Sequence, residues 1–396
     1  MEPNLKIFTE NITPKALNQI YELLSQPTFR NEKVRIMPDV HAGLGCVVGF
    51  TSTISDKVIP NVIGVDIGCG MRTVFLGNID IDLKALDLFI KKNIPSGSGV
   101  SQEVNGLDLL ESLYVYKELR NMPRLYGSIG SLGGGNHFIE IDIDEDGNKY
   151  LVIHSGSRNL GQQVASIYQK MAIDDCKNCA QEERERVIAE LKAKGAIAEI
   201  PNALKKVNED YAYRSKIPND LCYLDGVHLD YYMHDMRICQ EFAVRNRAKI
   251  AEKILKYLKL NPNKQEMFET IHNYIDKNNI VRKGAISARL GEKVLIPMNM
   301  RDGCLIAIGR GNEDWNYSAP HGAGRLYSRS TAKELFTVNE FQNEMQGIYT
   351  TTADKSTIDE SPMAYKPSDE IIRNVEPTVD IINIIKPIYN FKAGGE

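Results

Sequence analysis

Seven histidines stand in this 396-residue chain, and four of them sit in glycine-flanked segments: VHAGLG at His41, GGGNHF at His137, IHSGSR at His154 and PHGAGR at His321. Glycine beside a reactive side chain lets the backbone turn sharply and approach a ligand closely. A fifth, His272, lies in ETIHNYID, and His228 and His234 lie in DGVHLDYYMHD. The loop Gly64-Val65-Asp66-Ile67-Gly68-Cys69-Gly70 adds a carboxylate and a thiol three residues apart. Carboxylate, thiolate and imidazole together make a transition-metal donor set, and a thiolate can bridge two ions. Donor type alone admits zinc, iron, cobalt or manganese. Standing alone, the loop would read as a buried cysteine beside a turn aspartate; the histidines tip the reading to metal binding.

Other signals are weaker. Consecutive N–H groups in GGGNHF can cradle an oxyanion, but the segment lacks the Lys-Ser/Thr ending of a nucleotide P-loop. No G-x-G-x-x-G follows a strand, so a dinucleotide fold is unsupported. The pair Cys176 and Cys179 has no second pair at zinc-ribbon spacing and precedes the charged run QEERERV; no function is assigned to it. The basic residues nearest the motifs are Arg158, Arg282, Lys283, Arg325 and Arg329. Arg158 and Arg325 each follow a motif histidine by four residues, and the planar guanidinium suits phosphate oxygens.

The elements that must hold these residues fall into three textures. Residues 30–160 are glycine-rich with short strand-like runs such as VVGFTSTI, KVIPNVIGV and KYLVIHSG. Residues 161–280 are patterned as helix, with Ile238, Phe242, Ile250, Ile254 and Leu258 at helix-compatible spacings. Residues 281–330 return to strands, KVLIP and CLIAIG being the clearest. No Pro/Ser/Gly linker divides the chain, and the chemical motifs lie on both sides of the helical stretch. The expectation is an α/β (mixed α+β) protein with one domain over 1–396, a β-rich core and a helical excursion. The apolar C-terminal run IINIIKPIYNFKAGGE is expected to dock on that core.

Composition narrows the class. Hydrophobic residues make up 42%, enough for a sizeable core, which excludes disorder as the main state. A net charge of -4 argues against coating nucleic acid by bulk electrostatics, but leaves a local basic pocket open. No apolar run reaches membrane-spanning length and no secretory signal is visible. Seven irregularly spaced cysteines read as reduced thiols, so the cytoplasm is the expected compartment.

Taken together, MPDVHAGLG (37–45), VIPNVIGVDIGCGM (58–71), GGGNHFIEI (133–141), HSGSRNLG (154–161), HNYI (272–275), RKGAISARLG (282–291), GNEDWNYSAPHGAGR (311–325) and PMAYK (362–366) closely resemble the RtcB family of RNA-splicing ligases. They stand in the family's order from about residue 30 to the C-terminus, DIGCGM and HGAGR being the specific ones. The resemblance implies that Asp66, Cys69, His137, His154 and His272 hold two manganese ions, with Cys69 bridging. Asp66 and His137 would complete one site, His154 and His272 the other. It implies His321 as the nucleophile that takes GMP from GTP. Asn136, Glu140, Asn299, Cys304, Tyr365 and Lys392 would contact the guanylate, and Arg158 and Arg325 phosphates or RNA. The substrates implied are an RNA 3′-phosphate or 2′,3′-cyclic phosphate end and a 5′-hydroxyl end, as in tRNA splicing or RNA repair, with room for an activating protein.

Two segments depart from the family pattern. Pro297-Met298-Asn299-Met300-Arg301 stands where P-G-S-M-G is common, and Ser318-Ala319-Pro320 replaces a Ser/Cys-rich run. These point to a divergent bacterial-type branch. They also motivate two alternatives: a metal-dependent cyclic-phosphate phosphoesterase, and a non-ligating RNA-end binding protein. The retained His321 argues against the second.

Overall fold

A computed structural model describes residues 4–178 and 180–394, which leaves Cys179 outside the described residues. The expected mixture of helix and sheet is present. A seven-stranded sheet carries the site. In spatial order its strands are Lys293–Pro297, Cys304–Gly309, Val379–Lys392, Phe138–Ile143, Lys149–Ser155, Gly70–Gly77 and Met267–Ile271, every neighbouring pair antiparallel. The two edges meet, because the Leu295 N–H donates to Thr270 Oγ1 at 3.0 Å, so the sheet is nearly a closed barrel. Alternation along each strand sends one set of side chains inward. Met71, Phe138, Val152, Leu295, Cys304, Ile306 and Ile385 fill that interior. The opposite faces bury Val74, Ile139, Ile141, Leu151 and Ile153 against Ile250 and Ile254 of the helix Gly226–Tyr257.

The C-terminal run docks as expected, and more centrally than its position suggests. Val379–Lys392 inserts between Cys304–Gly309 and Phe138–Ile143 and delivers Lys392 beside Phe138. A second sheet orders Asn4–Ile7, Lys33–His41, Val48–Thr53, Ile280–Lys283 and Asn273–Ile275, its first pair parallel and the rest antiparallel. It packs with the helix Pro14–Leu24, whose N-cap Thr13 accepts from the Ala16 N–H.

The helical region is shorter than its texture implied. Arg158–Lys177, Ala180–Ala193, Ile200–Arg214 and Gly226–Tyr257 are helices, but Met267–Ile271 and Asn273–Ile275 are already strands. Polar residues between the apolar ones there reflect edge-strand alternation. KVIPNVIGV likewise pairs only through Lys57–Val58, since Pro60 lacks the N–H that would extend the ladder.

The long helix is also more than an excursion. Its fully buried Asn246 accepts from the Gly130 and Ser131 N–H groups at 2.8 and 3.1 Å and donates to Ser155 Oγ and the Gly156 carbonyl. The neighbouring Arg247, equally buried, donates to the carbonyls of Gly68 and Ser155 at 2.9 and 2.8 Å and pairs with Glu269 at 2.6 Å. One helix turn thus ties together the loops that carry Cys69, His137 and His154. No helix among the described residues is long and apolar enough to cross a membrane.

Candidate active site

At one end of the barrel the loops enclose a cavity of about 760 Å³, lined among others by Asp66, Cys69, Asn136, Glu140, His154, His272, His321, Tyr365 and Lys392. Cys69 is the centre of its donor group. Its Sγ lies 3.4 Å from His137 Nε2 and 3.2 Å from His154 Nε2, and His137 Nε2 lies 3.0 Å from Asp66 Oδ2. The far nitrogen of each ring is occupied: His137 Nδ1 donates to the Leu132 carbonyl and His154 Nδ1 to the Asn136 carbonyl, both at 3.0 Å. A carbonyl only accepts, so the ring proton is on Nδ1 and Nε2 presents its lone pair inward. His137 Nε2 then faces the Asp66 carboxylate and the Cys69 sulfur. Such a convergence of lone pairs calls for a cation among them. The separations, 3.0–3.4 Å, lie a few tenths of an ångström inside the roughly 3.3–3.7 Å that bonds of about 2.0–2.3 Å give in a tetrahedral shell, so a small outward shift of the side chains would seat an ion.

The surroundings hold this group rigidly. The Ser157 N–H donates to Asp66 Oδ1 at 2.9 Å, at the head of the helix Arg158–Lys177. Gly156 is required there, because a Cβ would stand 2.2 Å from Asp66 Oδ1. His272 is fixed by its N–H to the Cys69 carbonyl at 3.0 Å, and its Nδ1 is buried without a partner among the described residues. Burial, reinforced by the neighbouring imidazoles, pushes His154 and His272 well below their ordinary value, so both rings are neutral and their lone pairs free to accept. Burial and the Asp66 charge push the Cys69 thiol up. A bound cation reverses that, since a coordinating thiol is deprotonated.

His321 continues the row of rings, its centroid 5.0 Å from that of His272. Asp39, fully buried, accepts from both His321 Nδ1 (2.6 Å) and the His321 N–H (3.1 Å) through Oδ2. This sets the His321 proton on Nδ1 and leaves Nε2 as a nucleophilic lone pair, the logic of a histidine oriented by a buried carboxylate. Asp39 lies in the MPDVH block, but nothing in its spacing from His321 marked it for a role.

The cationic wall is organised by a second unanticipated residue, Glu360. Its Oε1 takes Arg329 at 2.6 Å and Arg325 at 3.1 Å; its Oε2 takes Lys392 at 2.7 Å and the Tyr365 hydroxyl at 2.6 Å. Burial alone would raise the Glu360 carboxyl, but the charges of Lys392, Arg329 and Arg325 outweigh it and hold it at about 2. Three cations against Glu360 and Asp359 leave the wall positive, as an incoming phosphate requires.

Of the residues expected at a nucleotide, Asn136, Glu140, Asn299, Tyr365 and Lys392 line the cavity. Asn299 is largely spent on its own loop, its Oδ1 accepting from the Arg301 and Asp302 N–H groups at 3.0 Å. The altered loop nonetheless presents Met298 and Met300 to the cavity. Cys304 does not line it: the thiol sits behind Glu140, grouped with Asp142. Burial pushes Glu140 up to about 7, and Asp142 rises well above its ordinary value through burial and the Glu140 charge. Arg325 reaches the cavity, whereas Arg158, in the left-handed region at φ 58°, donates to the Gly97 carbonyl beside it. Arg282 and Lys283 are internal ties, the first to Asp276 and the second to the carbonyls of Leu44, Cys46 and Asn61. His228 and His234 pair with Asp175 and Asp235 away from the site.

Comparison with known proteins points to one family. A family model described as tRNA-splicing ligase RtcB matches residues 19–121 and 112–393. The chain is 29% identical to the RNA-splicing ligase RtcB of Escherichia coli strain K12, with 98% of this chain and 97% of that protein covered. It is 28% identical to the tRNA-splicing ligase RtcB of Aeropyrum pernix, covering 85% and 82%. With RtcB2 of Escherichia coli strain ATCC 25922 it shares 26%, covering 96% and 92%. The chain belongs to the RtcB family of RNA ligases.

Proposed function

We propose that this protein, read as one catalytic domain, is a GTP- and manganese-dependent ligase that joins RNA 3′-phosphate or 2′,3′-cyclic phosphate ends to 5′-hydroxyl ends through a His321–GMP intermediate. The observation that supports it best is the row His137, His154, His272 and His321, which runs from the donor group around Cys69 to a histidine whose Nδ1 is held by Asp39. Asp66, Cys69, His137, His154 and His272 would hold the metal ions, which polarise phosphoryl oxygens when bound.

His321 Nε2 attacks the α-phosphorus of GTP; the N–P bond forms as the bond to pyrophosphate breaks, and Asp39 stabilises the positive charge that develops on the ring. A 2′,3′-cyclic end is first opened by water, the P–O2′ bond breaking to give a 3′-phosphate and a free 2′-hydroxyl. The RNA 3′-phosphate then attacks the same phosphorus, His321 leaves, and the 3′ end carries GMP. The 5′-hydroxyl of the second RNA displaces that GMP. Glu140, Tyr365 and Lys392 face the nucleotide, Phe138 offers a ring under the Lys392 ammonium (5.6 Å), and Arg325 and Arg329 turn toward phosphate.

Intact-protein mass after incubation with manganese and GTP tests the reading. A covalent GMP-sized increase in the wild type, absent from His321→Ala, supports it. No increase with metal bound overturns it, and hydrolysis of cyclic phosphate ends by that same preparation would assign a phosphoesterase.

A further inference from the structure

His41 has no part in the steps above, yet it lines the same cavity as His321 and shares an aspartate with it. It ends the strand Lys33–His41, two residues after Asp39, and both side chains lie beside His321. His321 uses the Asp39 carboxylate; His41 uses the Asp39 backbone carbonyl, which lies 3.0 Å from its Nδ1. That carbonyl can only accept. The His41 proton is therefore on Nδ1, and Nε2 is a bare lone pair that hydrogen-bonds to nothing among the described residues. The charged and titratable groups facing the ring are His321, Asp39 and Arg325. Burial dominates over their charges and takes His41 down to about 4, so at neutral pH it is a proton acceptor and not a donor.

Proton accounting shows where an acceptor is needed. Attack of the bare His321 Nε2 on GTP releases no proton, and an ionised 3′-phosphate attacking the adduct releases none. Of the three transfers that begin from a 3′-phosphate end, only the last starts from a neutral nucleophile, the 5′-hydroxyl; opening of a cyclic end by water is a separate, earlier hydrolysis. This inference rests on the ligase reading. We propose that His41 is the general base of that sealing step. The 5′-oxygen forms its bond to the 3′-phosphorus, the bond from that phosphorus to GMP breaks with its electron pair leaving on GMP, and the hydroxyl proton moves to His41 Nε2. The Asp39 carboxylate and the substrate phosphates stabilise the imidazolium until it returns the proton to solvent.

The test separates the steps by supplying RNA that already carries GMP on its 3′-phosphate, with the full-length manganese-loaded protein. His41→Gln is expected to form the GMP adduct within a few-fold of wild type but to seal the activated RNA about 10²–10³-fold more slowly, the range of a lost general base. Activated RNA should accumulate during full ligation. The acid limb of the wild-type sealing rate, set by protonation of His41, should vanish in the variant. In His41→Ala, added imidazole should restore part of the sealing rate. His321→Ala should still seal activated RNA, which excludes the regenerated His321 as the base. Sealing by His41→Gln within threefold of wild type, an unchanged acid limb, or equal loss of adduct formation and sealing would each overturn the assignment. A wild type that forms no adduct yet seals activated RNA with a His41-dependent acid limb would refute the GTP step alone.

Discussion

Replacing Asp39 by asparagine isolates what a single buried carboxylate does for the proposed nucleophile. The substitution keeps shape and removes charge. If the amide nitrogen faces His321, it meets the Nδ1–H and drives the ring proton to Nε2, where it blocks attack. If the amide oxygen faces His321, the NH₂ group is left at the Asp39 Oδ1 position, which is buried and has no partner among the described residues. An unsatisfied donor there costs about 1–3 kcal/mol. Either orientation also replaces a short charge-assisted bond of 2.6 Å with a neutral one, forfeiting about 1–2 kcal/mol as positive charge develops on the ring. The sum, about 2–5 kcal/mol, corresponds to roughly 10²–10⁴ in rate. The same change in a serine-protease triad costs about 10⁴. The assay is the time course of GMP-adduct formation followed by intact mass, with bound metal measured on the same sample. An adduct rate within threefold of wild type, metal content being equal, would refute the argument that Asp39 sets the His321 tautomer.

Four further outcomes follow from other contacts. Cys69→Ala should lose bound metal and the adduct together, whereas His321→Ala should lose the adduct and keep the metal; two ions retained by Cys69→Ala, measured by elemental analysis, would exclude a bridging thiolate. Gly156→Ala should behave like a ligand mutant, because its Cβ lands 2.2 Å from Asp66 Oδ1, and normal metal content in that variant would count against the rigidity inferred for this loop. Glu360 is held at about 2 in the folded protein against an ordinary value of 4.5. Its stabilisation, about 3 kcal/mol, is therefore complete above the ordinary value and lost as pH falls from there toward the folded value. Urea unfolding of Glu360→Gln should lack that part of the acid dependence and be less stable at neutral pH, since Lys392 is left buried and unpaired. Asp142 has the opposite sign: its folded value is raised, so it costs stability increasingly as pH rises above its unfolded value. Asp142→Asn should be at least as stable as wild type near neutral pH, and a large destabilisation there would show that its carboxylate has a counter-ion.

The donor inventory of this site and the family of the chain were legible before any fold was known. Imidazole, thiol and carboxylate in glycine-flanked segments are a metal inventory because lone-pair type is a property of the residue, and glycine beside it is a local condition. The regular elements with strong local periodicity were legible for the same reason: KVLIP and CLIAIG as strands, Phe242, Ile250 and Ile254 as the buried stripe of one helix. Which residues complete each other across the chain was set by packing. Asp39 meets His321 from 282 positions away, Glu360 gathers Lys392, Arg325 and Arg329, and Asn246 and Arg247 knot three loops from the back of a helix. Cys304 moves behind Glu140 because the strand Cys304–Gly309 turns that side chain into the barrel. Single buried polar residues carry no periodic signal; their partners are set by how two sheets and a long helix pack, and each is satisfied only once that packing exists.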